Sequence, residues 1–520
     1  MRRIFLFAIG TLTLTVGISG QTGPRGDFKK PKLVLGIVVD QFRYDYLTKF
    51  RKDYTGGFAR FMKNGAVFTN AYHEHFPTVT AIGHSTFMSG ATPSISGIVN
   101  NSWYDRDTGQ TVTSVSDDNA KLLGATGKGS SPRRMLAGTL GDEMKMAGCE
   151  CKVIGISIKD RSAILPAGHI ADGAYWFDGQ TGNFVSSTFY FPELPAWVKS
   201  FNDKRPADQY AAAKWKAFDS NTIYKTMPEK PGSELYGALE AAPFGNDLIE
   251  AFAEQAMAAE KIGAHAGTDL LTVSFSANDY VGHRVGPDDP MVRDISVQTD
   301  RLLEKFFNYI DSTVGLDNVL VVLTADHGVA PLPEVSIKRG MPGGRANAAD
   351  MFRLINAALV QKYGDGKWIE ASSGPIPYFN RELARQKNAT LAEVERTAAE
   401  VLRNLPNIFR VYTRDEIIHG QMIEDRFSQR VRNGFYASRS GDLIIIPDAY
   451  WIFEPSGASH GTAFNYDTHV PILFMGPNVR PGFYDGAIAV NDIAPTLATI
   501  LSIETPSGSV GRVLSEMFAR

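Results

Sequence analysis

Cysteine is almost missing: the 520 residues contain two, Cys149 and Cys151, in "GCECK". That excludes a disulfide framework, and it excludes a thiolate-only structural zinc site, which takes four ligands. Two positions apart, the pair has awkward geometry for a bridge, so both are expected as small buried residues between a helix and a strand. Net charge is also nearly missing, at −3, and with it any global sign of nucleic-acid binding. Beyond the N-terminus no apolar run is long enough to span a bilayer. Internal repeats and low-complexity stretches are absent, which excludes solenoids and fibrous arrays.

The one long apolar stretch opens the chain. "MRRIFLFAIGTLTLTVGISGQ" carries two arginines, an apolar segment and then small residues, the pattern of a secretory signal peptide over residues 1–20. A retained anchor is the alternative; no cysteine follows for lipid attachment. The expected product is periplasmic or secreted, with no membrane contact after cleavage. The remainder, 43% hydrophobic and 21% charged across the chain, can bury one large core.

Short apolar runs recur between amphipathic stretches: 33–40, 152–158, 270–275, 318–324, 442–447 and 469–476. Their length and β-branched content predict an α/β fold, with a mostly parallel central sheet and helices on both faces. Helices are expected over 134–147, 245–262, 292–311, 349–363 and 391–404, the last opened by a Thr390/Glu393 capping box. Residues 21–520 are expected to form a single domain with inserted cap segments near 171–240, rich in aromatics, and 329–455.

The informative feature is how these runs end. "LVLGIVVD" ends on Asp40, "LLTVSFSANDYVGH" runs into Asp279 and His283, and "VVLTADH" ends on Asp326 and His327. Before the last run stand His460 and His469. Ligands of open α/β sheets bind beyond the carboxyl ends of the strands, so these acids and histidines are expected to converge. Asp279 and His283, four apart, share a face if a helical turn follows the strand. Mixed carboxylate and imidazole ligands suit Zn²⁺ or a similar borderline cation.

"HFPTVTAIGHSTFMSG" adds a hydroxyl at a helix start. Thr80 is either an N-cap or a nucleophile directed at an anionic ligand, with Thr78 and Ser85 as competing hydroxyls. A dication lowers the pKa of an alcohol and makes it a nucleophile. In "GISIKDRSA", Lys159 and Arg161 lie two apart, so in a strand they point the same way. Two cations so placed fit a dianion; otherwise they form a solvated turn.

Together, the Asp after the first strand, Thr80 before "AIGH", "DYVGH", "TADHG" and "HGT" resemble the alkaline phosphatase superfamily over roughly residues 33–515. The resemblance implies two Zn²⁺ ions, one on Asp279, His283 and His460, the other on Asp40, Asp326 and His327 with Thr80 as nucleophile. His460 is preferred to His469 because "HGT" matches the family position. Asn101 falls where related threonine enzymes place a donor to the phosphoryl group, with Asn100 beside it. "KDR", "VDQFRYDYL" and "WYDR" resemble the monomeric alkaline phosphatases that use a Lys-x-Arg pair, which implies Lys159 and Arg161 on the phosphoryl oxygens of small-molecule phosphate monoesters and no third, magnesium site. The same core also serves nucleotide pyrophosphatase/phosphodiesterases. These need an apolar pocket for a second substituent, and residues 171–240 offer aromatics for one.

Overall fold

A computed structural model of the chain describes residues 28–519. The expected signal peptide lies outside the described residues. No described helix is long and apolar enough to cross a membrane.

The central sheet has eleven strands. In chain order they are β1 (Leu33–Val39), β2 (Ala66–Phe68), β3 (Ser116–Leu123), β4 (Lys128–Ser130), β5 (Val153–Ser157), β6 (Gly173–Asp178), β7 (Asn183–Ser187), β8 (Asp269–Phe275), β9 (Val319–Thr324), β10 (Ile472–Met475) and β11 (Gly482–Tyr484). Their spatial order is β11-β2-β10-β9-β1-β8-β5-β6-β7-β3-β4. The middle, β9-β1-β8-β5-β6, is wholly parallel. Its strands read as continuous apolar runs because both faces are covered: every residue of β1, β5, β8 and β9 is buried. The flanks carry antiparallel pairings, so the sheet as a whole is mixed.

Two helical layers enclose it. One contains α1 (Thr80–Ser89) and α2 (Asp160–Ala167), packed on each other and on the sheet. The other contains α3 (Pro243–Ala259) and α5 (Pro290–Thr313), with α4 (Ala277–Val285) between them in sequence and in contact with both. The helix expected over 134–147 is shorter, Leu140–Met146 after a 3-10 turn at Pro132–Arg134: Met135 is extended, and a Thr139/Asp142 capping box starts the helix at Leu140. The Thr390/Glu393 capping box forms as expected.

Three further expectations differ from the fold. The run 442–447 does not join the central sheet. Leu443–Pro447 pairs with Ile408–Thr413 in a separate ribbon between two smaller cores: Leu443 and Ile445 face Ile355, Trp368, Val394 and Leu402, and Ile444 and Ile446 join the cluster of Tyr378, Val431 and Phe435. Its apolar character reflects burial there. The aromatics of 171–240 do not wall a cleft either. Tyr175, Phe184, Trp197 and Phe201 pack around Phe252 in the main core, Phe184 stacked on Phe252 at 3.8 Å. Cys149 and Cys151 are joined in a disulfide that closes the tight turn ahead of β5.

Candidate active site

Register brings the site together. Val38 on β1 pairs with Thr324 on β9 and with Ser274 on β8, so Asp40 and Asp326 project side by side, two residues past the paired positions. Asp279 follows in the first turn of α4, and His283 lies one turn on. β5 ends on Ser157, opposite Ser274, and delivers Lys159 to the same level.

Two groups of possible metal ligands result. Asp279, His283 and His460 form one and Asp40, Asp326 and His327 the other, with donor atoms within 4.8 Å of one another in each group. The donor chemistry fits cations. His283 Nδ1 donates to Ala458 O at 2.8 Å and His460 Nδ1 to Thr78 O at 2.7 Å, because a carbonyl can only accept. Their Nε2 atoms, left bare, face each other at 3.2 Å. His327 Nδ1 likewise donates to Gly328 O at 3.0 Å, which turns its bare Nε2 toward Asp326 Oδ2 at 3.4 Å and Asp40 Oδ1 at 3.5 Å. Both of those carboxylate oxygens are buried and neither accepts a hydrogen bond; the nitrogen near Asp326 Oδ2, His84 Nδ1 at 3.2 Å, spends its proton on the Thr80 carbonyl. Lone pairs converge on lone pairs, and only positive charge satisfies them.

The electrostatics agree. Burial, reinforced by neighbouring Asp326, holds Asp40 well above the usual carboxylate range. Burial pushes Asp279 the same way, but Lys159 and His283 outweigh it and leave the carboxyl well below normal. Burial depresses His327 and His460, so both imidazoles stay neutral, the form that binds metal. Burial also opposes charge on His283, yet Asp279 raises it to about 8, so a proton on Nε2 can supply the positive charge there when no metal is bound.

Thr80 is the first residue of α1, and its hydroxyl is no cap: the N-cap is Val79, which has no side-chain cap bond. Thr80 Oγ1 faces His327 Nε2 at 3.4 Å. The competing hydroxyls are engaged elsewhere, Thr78 donating to Thr462 O and Ser85 to Ile82 O. Asn101 Oδ1 accepts the Ala81 N–H at 2.8 Å, so this side chain caps α1 and lies against Thr80. Asn100 instead donates to Ser373 Oγ and accepts the Asn101 N–H.

Lys159 and Arg161 do not lie on a strand. β5 stops at Ser157, Lys159 is the N-cap of α2, and Arg161 sits in its first turn. The shared direction expected of a strand therefore does not apply. Lys159 Nζ reaches into the site, 2.6 Å from both Asp40 Oδ2 and Asp279 Oδ2. Arg161 Nε is buried with no partner. His469 lies away from both ligand groups, stacked between Tyr44 and Tyr72 at 4.5 and 4.7 Å, its Nε2 on Thr69 O.

Sequence reading missed two supporting residues. Gln41, at φ 62°, turns its N–H to Asp326 Oδ1 at 3.1 Å and its Nε2 to Asp279 Oδ1 at 2.6 Å. His84 joins Thr80 O and Ser274 Oγ at 2.9 and 2.8 Å, which sets its Nδ1 3.2 Å from Asp326 Oδ2. Both sit beside recognised residues, in "VDQ" and "AIGH", but only the fold shows what they touch.

The model of the type I phosphodiesterase / nucleotide pyrophosphatase family matches residues 34–468. The chain belongs to that family, within the alkaline phosphatase superfamily. Among this family's members, alkaline phosphatase PafA of Elizabethkingia meningoseptica is 37% identical over 97% of this chain and 98% of its own length. Alkaline phosphatase PhoV of Synechococcus elongatus is 36% identical over 94% of this chain and 93% of its own. A crystal structure of wild-type PafA superposes with a TM-score of 0.88, covering 94% of this chain and 99% of that one.

Proposed function

We propose that the chain is an exported alkaline phosphatase, a phosphoric monoester hydrolase that works through a phosphothreonine at Thr80. The observation that carries this is the Thr80 hydroxyl, 3.4 Å from His327 Nε2, at the edge of two convergent ligand groups that Lys159 joins. Near-full-length similarity to proteins named alkaline phosphatases supports it. Asp40, Asp326 and His327, beside the entering Thr80 oxygen, would hold one Zn²⁺ and Asp279, His283 and His460, on the side of the departing alcohol, a second; the two ions would supply Lewis acidity there. Periplasmic or secreted location rests on the N-terminal pattern, and the Cys149–Cys151 bridge suits an oxidising compartment. We read residues 21–520 as one domain acting as a monomer on small-molecule phosphate monoesters.

The chain's own groups then act as follows. Thr80 Oγ1 attacks phosphorus in line, the alcohol departs on the opposite side, and the phosphoryl group stays on Thr80. Water attacks the phosphothreonine, releasing phosphate and restoring the hydroxyl. Asn101 keeps its Nδ2 for a phosphoryl oxygen, since its Oδ1 is committed to α1. Lys159 spends two of its three N–H bonds on Asp40 and Asp279 and has one left for the substrate. Arg161 offers the unpartnered Nε and its fork. A dianionic monoester exposes more charge to these groups than a diester does.

The test compares kcat/KM for p-nitrophenyl phosphate and bis-p-nitrophenyl phosphate on zinc-loaded enzyme and on a Lys159→Ala/Arg161→Ala variant. A monoester preference that collapses in the variant is expected. A diester preference unmoved by the substitutions assigns the chain to the phosphodiesterase branch instead.

A further inference from the structure

A cavity of about 370 Å³ opens directly beside His283, His460 and Asn101. Its far wall comes from the excursion after β9 and is apolar: Pro375, Ile376, Ile445, Pro447, Trp451 and Phe453. The Trp451 ring packs directly on Gly344, where even a Cβ would come within 2.5 Å of it, so glycine is required for the ring's position. The lining contains no lysine or arginine, and besides the two histidines its one ionisable side chain is Glu454. Arg345, on the neighbouring strand, is withdrawn. It binds both carboxylate oxygens of Glu334 at 2.8 and 2.9 Å and the carbonyls of Glu454 and Gly457 at 2.9 and 3.0 Å.

We propose that this cavity is the leaving-group pocket, and that it selects monoesters of neutral or cationic alcohols bearing an aromatic-sized apolar group while rejecting leaving groups that carry negative charge. The inference rests on the monoesterase reading above, in which His283 and His460 stand on the side of the departing alcohol. Cationic groups are thereby divided by function. Lys159 and Arg161 serve the transferred phosphoryl group, and none serves the alcohol. A second phosphate or a carboxylate on the alcohol would desolvate against Trp451 and Phe453 and meet Glu454. A ring would instead bury its faces there. Specificity thus depends on the inserted segment, while the chemistry depends on the sheet.

Four alkyl phosphates with similar alkoxide leaving groups separate pocket binding from intrinsic reactivity: 2-phenylethyl, ethyl, 2-aminoethyl and 2-carboxyethyl phosphate. On the zinc-loaded full chain, kcat/KM for the phenylethyl ester is expected to exceed that for the ethyl ester on the order of ten-fold, from burial of the ring. The aminoethyl ester is expected to exceed the carboxyethyl ester. Trp451→Ala should shrink the first ratio, and the exposed Glu454→Lys should shrink or invert the second without threatening the fold. Equal rates for phenylethyl and ethyl esters, or a charge order unmoved by Glu454→Lys, overturn the pocket assignment while leaving the monoesterase standing. Hydrolysis of none of the four overturns the monoesterase reading and the pocket with it.

Discussion

Gly83 gives the sharpest test of how the proposed nucleophile, Thr80, is held. It lies three residues after Thr80, one turn into α1, with its Cα against the backbone of Asp326. A Cβ at this position would stand 2.6 Å from Asp326 Cα and Cβ and nearer still to the Asp326 carbonyl. Carbon atoms rest about 3.6 Å apart, so Gly83→Ala must push α1 from the end of β9 by about 1 Å. Both sides of the contact are built from backbone, so no side-chain rotation relieves it. Thr80 rides on the same helix, 3.4 Å from His327 Nε2. A displacement of that size costs roughly 10²-fold in rate, which is about 2.7 kcal/mol of barrier. Stability changes less. Overpacking costs about 1–3 kcal/mol, and alanine recovers about 1 kcal/mol over glycine inside a helix. The assay is kcat/KM for p-nitrophenyl phosphate on zinc-loaded wild type and variant, with thermal unfolding in parallel. A large loss of rate with a small shift in unfolding is expected. A Gly83→Ala enzyme as fast as wild type refutes the close-approach argument.

Three further outcomes follow from the geometry. Chelation should abolish activity and lower the unfolding midpoint, because Lys159 then stands against Asp40 and Asp279 alone and no lysine or arginine among the described residues pairs with the buried Asp326; zinc should restore both with two equivalents per chain, and a metal-free enzyme that retains activity contradicts this. His460→Ala should cut bound zinc to one equivalent, whereas His469→Ala, which removes a stack between Tyr44 and Tyr72 and a hydrogen bond to Thr69 O, should leave the stoichiometry intact and lower stability; metal analysis of both variants decides. Glu395 is buried, and loss of solvent pushes its carboxyl from 4.5 up to about 8. The folded state therefore keeps a proton that the unfolded chain has lost, and stability falls as pH rises through that interval. Glu395→Gln should unfold at a higher temperature than wild type above pH 8 and at nearly the same temperature below pH 4.5; equal midpoints at both ends contradict the shift.

The parallel centre of the sheet was legible because burial on both faces writes itself as apolar runs, and the ends of those runs exposed Asp40, Asp279 and Asp326 as a set. The 442–447 run shows the limit of that signal. A strand buried between two smaller cores has the same composition as one in the main sheet, and only pairing separates them. Aromatic density in 171–240 similarly records burial, here around Phe252, without saying which surface is covered. Thr80 looked like a helix cap from its neighbours alone; the capping is done from a distance by Asn101, a tertiary contact that no local pattern contains. A shared strand direction for Lys159 and Arg161 is not what the chain adopts; the likeness of "KDR" to a Lys-x-Arg pair is what singles them out. Lys159 reaches the site from the N-cap of α2. Gln41 and His84 escaped notice because their roles are hydrogen bonds to residues far along the chain.

The central claim is that a phosphoryl group passes through Thr80. Zinc-loaded enzyme turning over a phosphate monoester is quenched in acid, digested and mapped by mass spectrometry. The account predicts one phosphoryl group on Thr80 in the "TVTAIGH" peptide, absent from a Thr80→Ala variant that still binds zinc and has lost turnover. Turnover without any label on Thr80, or a Thr80→Ala enzyme close to wild-type rate, would contradict it.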